Sequence, residues 1–294
     1  YSTSVTMTLR NDFLPFLYPN QFVNYTEIIK ADWVSGIYKD LWIEQFRKIG
    51  ECCYLHAARV VSLFEGARKF QIELGCPANK TMVIPNGVNH KNFEGIAQKE
   101  EQDTFINLGA VLRVTPIKDV KTLLSAFAIA KSREPRLRLY IMGSMEEAEE
   151  YAAECREMAE DMRIQDVVFT GIVQVKEYIG KMDFLILTSI SEGQPLSILE
   201  GFAAKKPYIA TDVGNCRGLI YGEGDGYGRA GVVVPVMNVA RIAEAIVSLA
   251  ADADRRKIMG EAGYRRAVSE YDEKDVFRRY RQLYDQLVGQ GEEK

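Results

Sequence analysis

At 294 residues, with 47% apolar and 27% charged residues, the chain has the composition of a soluble globular protein and exceeds the usual size of one domain, so two units are expected. A formal net charge of -4 argues against a nucleic-acid partner, which needs a basic face. Five cysteines (Cys52, Cys53, Cys76, Cys155, Cys216) form no Cys-x-x-Cys pair and lie near neither His56 nor His90, which argues against a disulfide framework or a zinc site.

Residues 1–35, with Pro15, Pro19 and Asn24, carry no sustained hydrophobic period and read as a loop or an ordered crossing segment. The chain starts at Tyr1 without Met inside a Thr/Ser-rich stretch and reads as a fragment or a processed chain. It shows no signal-peptide pattern and no apolar run of membrane-spanning length, and together with the cysteine usage this gives the expectation of a reducing, cytoplasmic location. A helix at Leu41–Ala57, a strand at Val60–Phe64, a helix at Ala67–Leu74 and a strand at Met82–Ile84 make up about one and a half βαβ units. The charged run Lys91–Asp103, with Gly95, reads as an interdomain linker.

From Phe105 onward, apolar strand-like runs alternate with helical segments, the pattern of βαβ units on a parallel sheet. Strands are expected at Thr104–Leu112, Leu137–Met142, Val167–Thr170, Phe184–Leu187, Tyr208–Ala210 and Gly231–Val234. Helices are expected near Val120–Ser132, Glu146–Met162, Val175–Lys181, Pro195–Lys205, Cys216–Tyr221 and Val239–Ala250, and six strands so arranged form a doubly wound, Rossmann-like α/β domain. The acidic Glu146–Met162 segment should lie on the outside. Gly222–Gly228 reads as a flexible loop, and helices at Asp254–Ser269 and Asp272–Leu287 close the chain. The basic clusters Arg255-Arg256-Lys257, Arg265-Arg266 and Arg278-Arg279 alternate with acidic residues and read as solvated helix faces. The expected organisation is therefore a partial amino-terminal α/β domain with its linker over residues 1–99, a Rossmann-like α/β domain over 100–270, and a carboxy-terminal helix over 271–294.

The most informative stretch is Ser189-Ile-Ser-Glu192-Gly193-Gln-Pro195-Leu196-Ser197-Ile198-Leu199-Glu200, which crosses from a strand into a helix. Pro195 suits the first helical position, leaving the amides of Leu196, Ser197 and Ile198 free to face an anion at the carboxyl edge of the sheet. Glu192 on the loop rim and Glu200 within the helix flank that pocket; carboxylates repel phosphate but accept hydrogen bonds from hydroxyls, so the pair suits a nucleotide sugar. Arg113 and Lys118, on the loop after the first strand of the large domain, place cations at the same edge, and Lys118 stands just before a helix start, where the dipole disfavours it unless an anion binds.

Together Glu192-x7-Glu200, Gly109-x3-Arg113-x4-Lys118 and Ile84-Pro85-Asn86-Gly87-Val88 resemble the motifs of the retaining glycosyltransferases of family 4, the glycosyl transferases group 1, which have the GT-B fold. Thr188–Leu196 followed by Ala210-Thr-Asp-Val-Gly-Asn-Cys-Arg217 resembles the Pel exopolysaccharide branch. The resemblance implies transfer of a sugar, glucose in that branch, from a UDP-sugar to a growing polysaccharide or glycan, with retention and with neither metal nor other cofactor. It implies that Arg113 and Lys118 bind the donor diphosphate, that Gly193 and the amides of Leu196 and Ser197 meet the distal phosphate, that Glu192 holds the sugar hydroxyls and Glu200 the ribose. Glu192, Arg113 and Lys118 are the catalytic set so implied, and a membrane-bound polysaccharide synthesis complex is the implied partner. The usual Asp after Asn-Gly-Val is Asn89 here. Residues 1–99 show neither a Gly-rich donor loop nor a sugar-side histidine, His56 and His90 reading as structural, so the chain alone is expected to be an incomplete enzyme. A nucleotide-sugar epimerase or phosphorylase and an inactive nucleotide-binding module stay open as alternatives.

Overall fold

The computed structural model describes residues 36–289, so the loop expectation for residues 1–35 lies outside it. In chain order the elements are α1 (Gly36–His56), β1 (Val60–Ser62), α2 (Glu65–Glu73), β2 (Thr81–Val83), β3 (Ile106–Val111), α3 (Val120–Arg133), β4 (Leu137–Met142), α4 (Glu149–Asp161), β5 (Val167–Gly171) and α5 (Val175–Ile179). They continue as β6 (Phe184–Leu187), α6 (Leu196–Ala203), β7 (Tyr208–Thr211), α7 (Cys216–Tyr221), β8 (Gly231–Val234), α8 (Val239–Ala251), α9 (Ala253–Glu270) and α10 (Glu273–Gly289).

Two compact units result. In the smaller, residues 36–86 join the chain from Val276 onward: β1 and β2 pair in parallel, and Val61 and Ile84 pack with Val276 and Leu283 of α10. The larger runs from Gly87 to Asp275. The division thus falls inside the Ile84–Val88 motif rather than at residue 99. Lys91–Asp103, expected as a linker, belongs to the larger unit. Lys99 donates to the Phe105 carbonyl and to Asp183 Oδ2 (2.9 Å), and the Lys206 ammonium donates to Gly180 O (2.7 Å) and Gln98 Oε1 (3.4 Å). Burial lowers the Lys206 pKa to about 8. Charge in this segment does not make it a tether: Lys99 holds it to the sheet.

The larger unit is a six-stranded all-parallel sheet in the order β5-β4-β3-β6-β7-β8. Chain order runs outward from β3 in one direction and from β6 in the other, so the topological switch lies between these two strands, where a crevice opens beyond their carboxyl ends. Helices cover both faces, which is why Phe184, Leu185, Ile186 and Leu187 of β6 are all buried and the strand reads as a continuous apolar run instead of an alternation. α4 meets the sheet through Ala152, Cys155 and Ala159 and leaves its acidic residues to solvent, as expected of an outer helix.

Arg256 and Arg266 are not solvated: Arg256 donates to the carbonyls of Leu249 and Ala250, and Arg266, 1% exposed, reaches the Asp225 carboxylate and the carbonyls of Leu219, Ile220 and Gly228. The glycine-rich loop of residues 222–228 is therefore pinned to α9 through Asp225 and Gly228. All five cysteines are free thiols.

Candidate nucleotide-sugar site

The site grows from the loops that follow β3, β6 and β7. After β3 the chain turns through a single 3-10 turn, Pro116–Lys118, and Asp119 closes it at φ 49° while its side chain caps α3 by accepting from the Thr122 amide. The loop after β6 is sewn to this turn: the Ile190 amide donates to Ile117 O (2.8 Å), and the Thr188 hydroxyl bonds Lys118 O (3.0 Å). From the other side, the Thr211 hydroxyl at the end of β7 donates to Ser189 O (2.6 Å), and the Asn215 amide to Gly193 O (2.8 Å). Strand order makes this possible, since β3 and β7 both flank β6.

This stitching brings Lys118 and Glu192 together. The Lys118 ammonium lies 2.5 Å from Glu192 Oε1, and the buried Ser189 hydroxyl donates to the same oxygen at 2.6 Å. The Lys118 and Glu192 side chains are 16% and 11% exposed. Glu192 is thus tucked beneath the loop and not on a solvated rim. Arg113 stands apart from this pair: its half-exposed guanidinium is engaged by Glu147 Oε2 at 2.5 Å.

α6 begins at Leu196, one residue later than expected, with Pro195 as the extended residue preceding it. The Ile198 amide bonds Pro195 O at 3.3 Å, so the orphan donors of the first turn are those of Leu196 and Ser197, not all three. Glu200 follows one turn on. Among the described residues its carboxylate has no ion pair or hydrogen bond, and burial raises its pKa above the ordinary 4.5. His90, outside this site, places Nδ1 3.2 Å from Asp272 Oδ2 and its ring edge-on to Tyr264. No cluster of potential metal ligands occurs among the described residues.

The unpartnered Glu200 carries a stability signature. Between 4.5 and its raised native value, the folded chain holds a proton that the unfolded chain has lost. The stability Glu200 contributes is therefore full below 4.5 and is lost as pH rises through the native value. Glu200→Gln is expected to raise the melting temperature by about 1–3 °C at pH 7.5 and to leave it unchanged at pH 4. Equal gains at both pH values in a calorimetric scan would remove desolvation as the cause.

Sequence reasoning named Lys118, Glu192 and Glu200 but did not single out the residues that hold the Glu192 loop: Ser189, Thr211 and Gly214. Gly214 adopts φ +52°, and a Cβ there would sit 2.2 Å from Glu192 O and 2.4 Å from Gly193 O. Its only signal in the sequence was a glycine shortly after a buried strand, inside a segment noted for its resemblance alone.

A six-stranded parallel sheet with Lys118 and Glu192 paired at its switch point, and Glu200 on the helix that follows, defines a Rossmann-like α/β domain. Residues 102–252, just over half of the chain, match the family described as glycosyl transferases group 1, and the chain belongs to that family. Residues 24–79 match a domain of unknown function, DUF3492. Similar curated proteins include the alpha-monoglucosyldiacylglycerol synthase of Streptococcus pneumoniae, 30% identical over 58% of this chain and 44% of that protein. A D-inositol 3-phosphate glycosyltransferase of Pseudarthrobacter chlorophenolicus is 26% identical over 75% of this chain and 54% of its own length. The chain spans about half the length of the curated relatives it matches. Among solved structures, Anabaena HepE in complex with UDP and glucose has a TM-score of 0.71 at 16% identity, covering 84% of this chain and 68% of that one. Sucrose-phosphate synthase from Thermosynechococcus elongatus has a TM-score of 0.72 at 21% identity, covering 84% and 62%. The fold is that of the GT-B glycosyltransferases. No helix among the described residues is long and apolar enough to cross a membrane.

Proposed function

We propose that this chain carries the donor half of a retaining glycosyltransferase that moves a hexose, glucose, from a UDP-sugar to a growing polysaccharide, as in the Pel exopolysaccharide branch. The observation that carries the reading is the meeting of Lys118 and Glu192 at the β3/β6 switch point, with an unpartnered Glu200 on the helix that follows. Lys118 and Arg113 bind the diphosphate, the Leu196 and Ser197 amides meet its distal phosphate beside Gly193, Glu192 accepts from sugar hydroxyls and Glu200 from the ribose. In transfer the anomeric C–O bond to the diphosphate breaks as the acceptor hydroxyl oxygen bonds the same carbon, and the hydroxyl proton passes to the departing phosphate oxygen. Charge gathers on the departing diphosphate, where preorganised cations and helix amides stabilise it without requiring a metal. UDP and glucose as ligands draw support from the HepE structures, and glucosyl transfer from the name of the Streptococcus relative. A cytoplasmic site of action beside a membrane-bound synthesis complex belongs to the same reading.

The test is calorimetric titration with UDP. Lys118→Ala is expected to weaken binding about tenfold or more, a charge-assisted hydrogen bond being lost. It should also lower stability modestly, because Glu192 keeps only the Ser189 hydroxyl. Undiminished affinity in this variant would remove the diphosphate assignment.

A further inference from the structure

The Lys118–Glu192 contact has a consequence for which nucleotide the site holds. The proposed phosphate-binding cation is already committed, at 2.5 Å, to the carboxylate proposed for the sugar. A diphosphate must take Lys118 from Glu192. Once it does, Glu192 Oε1 retains the Ser189 hydroxyl alone, in a position 11% exposed and close to the incoming phosphate charge. A carboxylate so covered and so placed carries both a desolvation cost and a repulsion. Sugar hydroxyls are donors and offset that cost; a bare nucleoside diphosphate brings none.

We infer that the Lys118–Glu192 pair is a specificity-determining latch, which makes the site favour a nucleoside diphosphate bearing a sugar over the same nucleoside diphosphate without one. The inference rests on the donor-site reading above. Where the two side chains meet, the ammonium and carboxylate neutralise each other. With a nucleotide sugar bound, Lys118 turns to the diphosphate while hydroxyls satisfy Glu192, so both charges stay paired. With a bare diphosphate, one charge is paired at the other's expense. After transfer the sugar has left, Glu192 recaptures Lys118, and the hold on the nucleoside diphosphate weakens. The backbone of the Glu192 loop does not need to move: the bonds from Thr211, Ile190 and Asn215 fix it, and only the Lys118 side chain changes partner.

The experiment is a double-mutant cycle read by calorimetry with UDP and with UDP-glucose. Glu192→Gln frees Lys118 and should tighten UDP about three- to tenfold, the factor by which a self-paired cation reduces apparent affinity. The same variant should lose the preference for UDP-glucose over UDP. In a Lys118→Met background, Glu192→Gln should tighten UDP by a smaller factor than in the wild type, because the partner it releases is gone and only the carboxylate's repulsion of the phosphate is relieved. Glu192→Ala, which cannot rebond Lys118, should tighten UDP as Gln does, and melting curves identify any variant that fails to fold. UDP binding that is unchanged or weaker in both folded Glu192 variants overturns the latch while leaving the donor site intact. Wild-type chain that binds neither UDP nor UDP-glucose overturns the donor-site reading and the latch with it.

Discussion

Replacing Arg266 with alanine is expected to destabilise the Gly87–Asp275 unit by about 3–5 kcal/mol, the usual consequence of removing one member of a buried ion pair. The guanidinium is 1% exposed. It bonds both oxygens of Asp225 and also reaches Leu219 O at 3.0 Å, Ile220 O at 3.2 Å and Gly228 O at 2.6 Å. Alanine leaves a covered carboxylate, removes a donor from the Leu219 and Gly228 carbonyls while Ile220 O keeps the Ala230 amide, and opens a void beside α9 where a long side chain had packed. Arg266→Lys keeps the charge but has three donors at a single point, so it should recover less than half of the loss. The Arg266 guanidinium lowers the pKa of Asp225 below its ordinary 3.8. The stability from that shift is present above 3.8 and disappears as pH falls through the native value, so the gap between wild type and Arg266→Ala should narrow in acid. Urea titrations at pH 7 and pH 3 measure both effects. A loss below about 1 kcal/mol at pH 7 would mean that the buried network contributes little.

Arg266 also shows why parts of the molecule were hidden in the sequence. The strands β3 to β8 were legible because a parallel sheet covered on both faces demands apolar runs, and Phe184–Leu187 and Gly231–Val234 have the predicted bounds. Arg266 reads as a surface charge in the sequence because alternation with acidic residues is the usual mark of solvent. Yet Met259, Gly260, Gly263, Arg266 and Ala267 recur at helical spacing on the buried side of α9, so its place among small and apolar residues was a readable warning. The glycine-rich loop reads as flexible for the linked reason that its anchor, Arg266, lies far along the chain. In the site, local chemistry named Lys118, Glu192 and Glu200 but did not reveal that Lys118 and Glu192 touch. Their contact depends on β3 and β6 being neighbours, a property of strand order and not of either segment. For Arg113 the residue type suited a phosphate, while its pairing with Glu147 depends on how the loop after β4 lies.

The support under the carboxylate is open to a sharper test than the carboxylate itself. Gly214→Ala is expected to weaken UDP-glucose binding at least about tenfold, because a loop displaced by an ångström misplaces the groups it carries. Two penalties combine at this position. Its φ of +52° is strained for alanine, and the new Cβ would lie 2.2 Å from Glu192 O and 2.4 Å from Gly193 O, which are backbone atoms that no rotamer change can move aside. Relief requires moving the Glu192–Gly193 segment. Such a shift would break the Asn215 amide bond to Gly193 O and carry Glu192 away from Lys118 and Ser189. The sheet beneath does not depend on this loop, so the melting temperature should fall much less than for Arg266→Ala. Arg217→Ala serves as the control in the same segment: Arg217 pairs with Asp212 in an exposed setting, and its loss should alter binding less than about twofold. If Gly214→Ala bound UDP-glucose as Arg217→Ala does, the Glu192 loop would be able to adjust on its own, and the β7 loop would not be what holds the donor carboxylate in place.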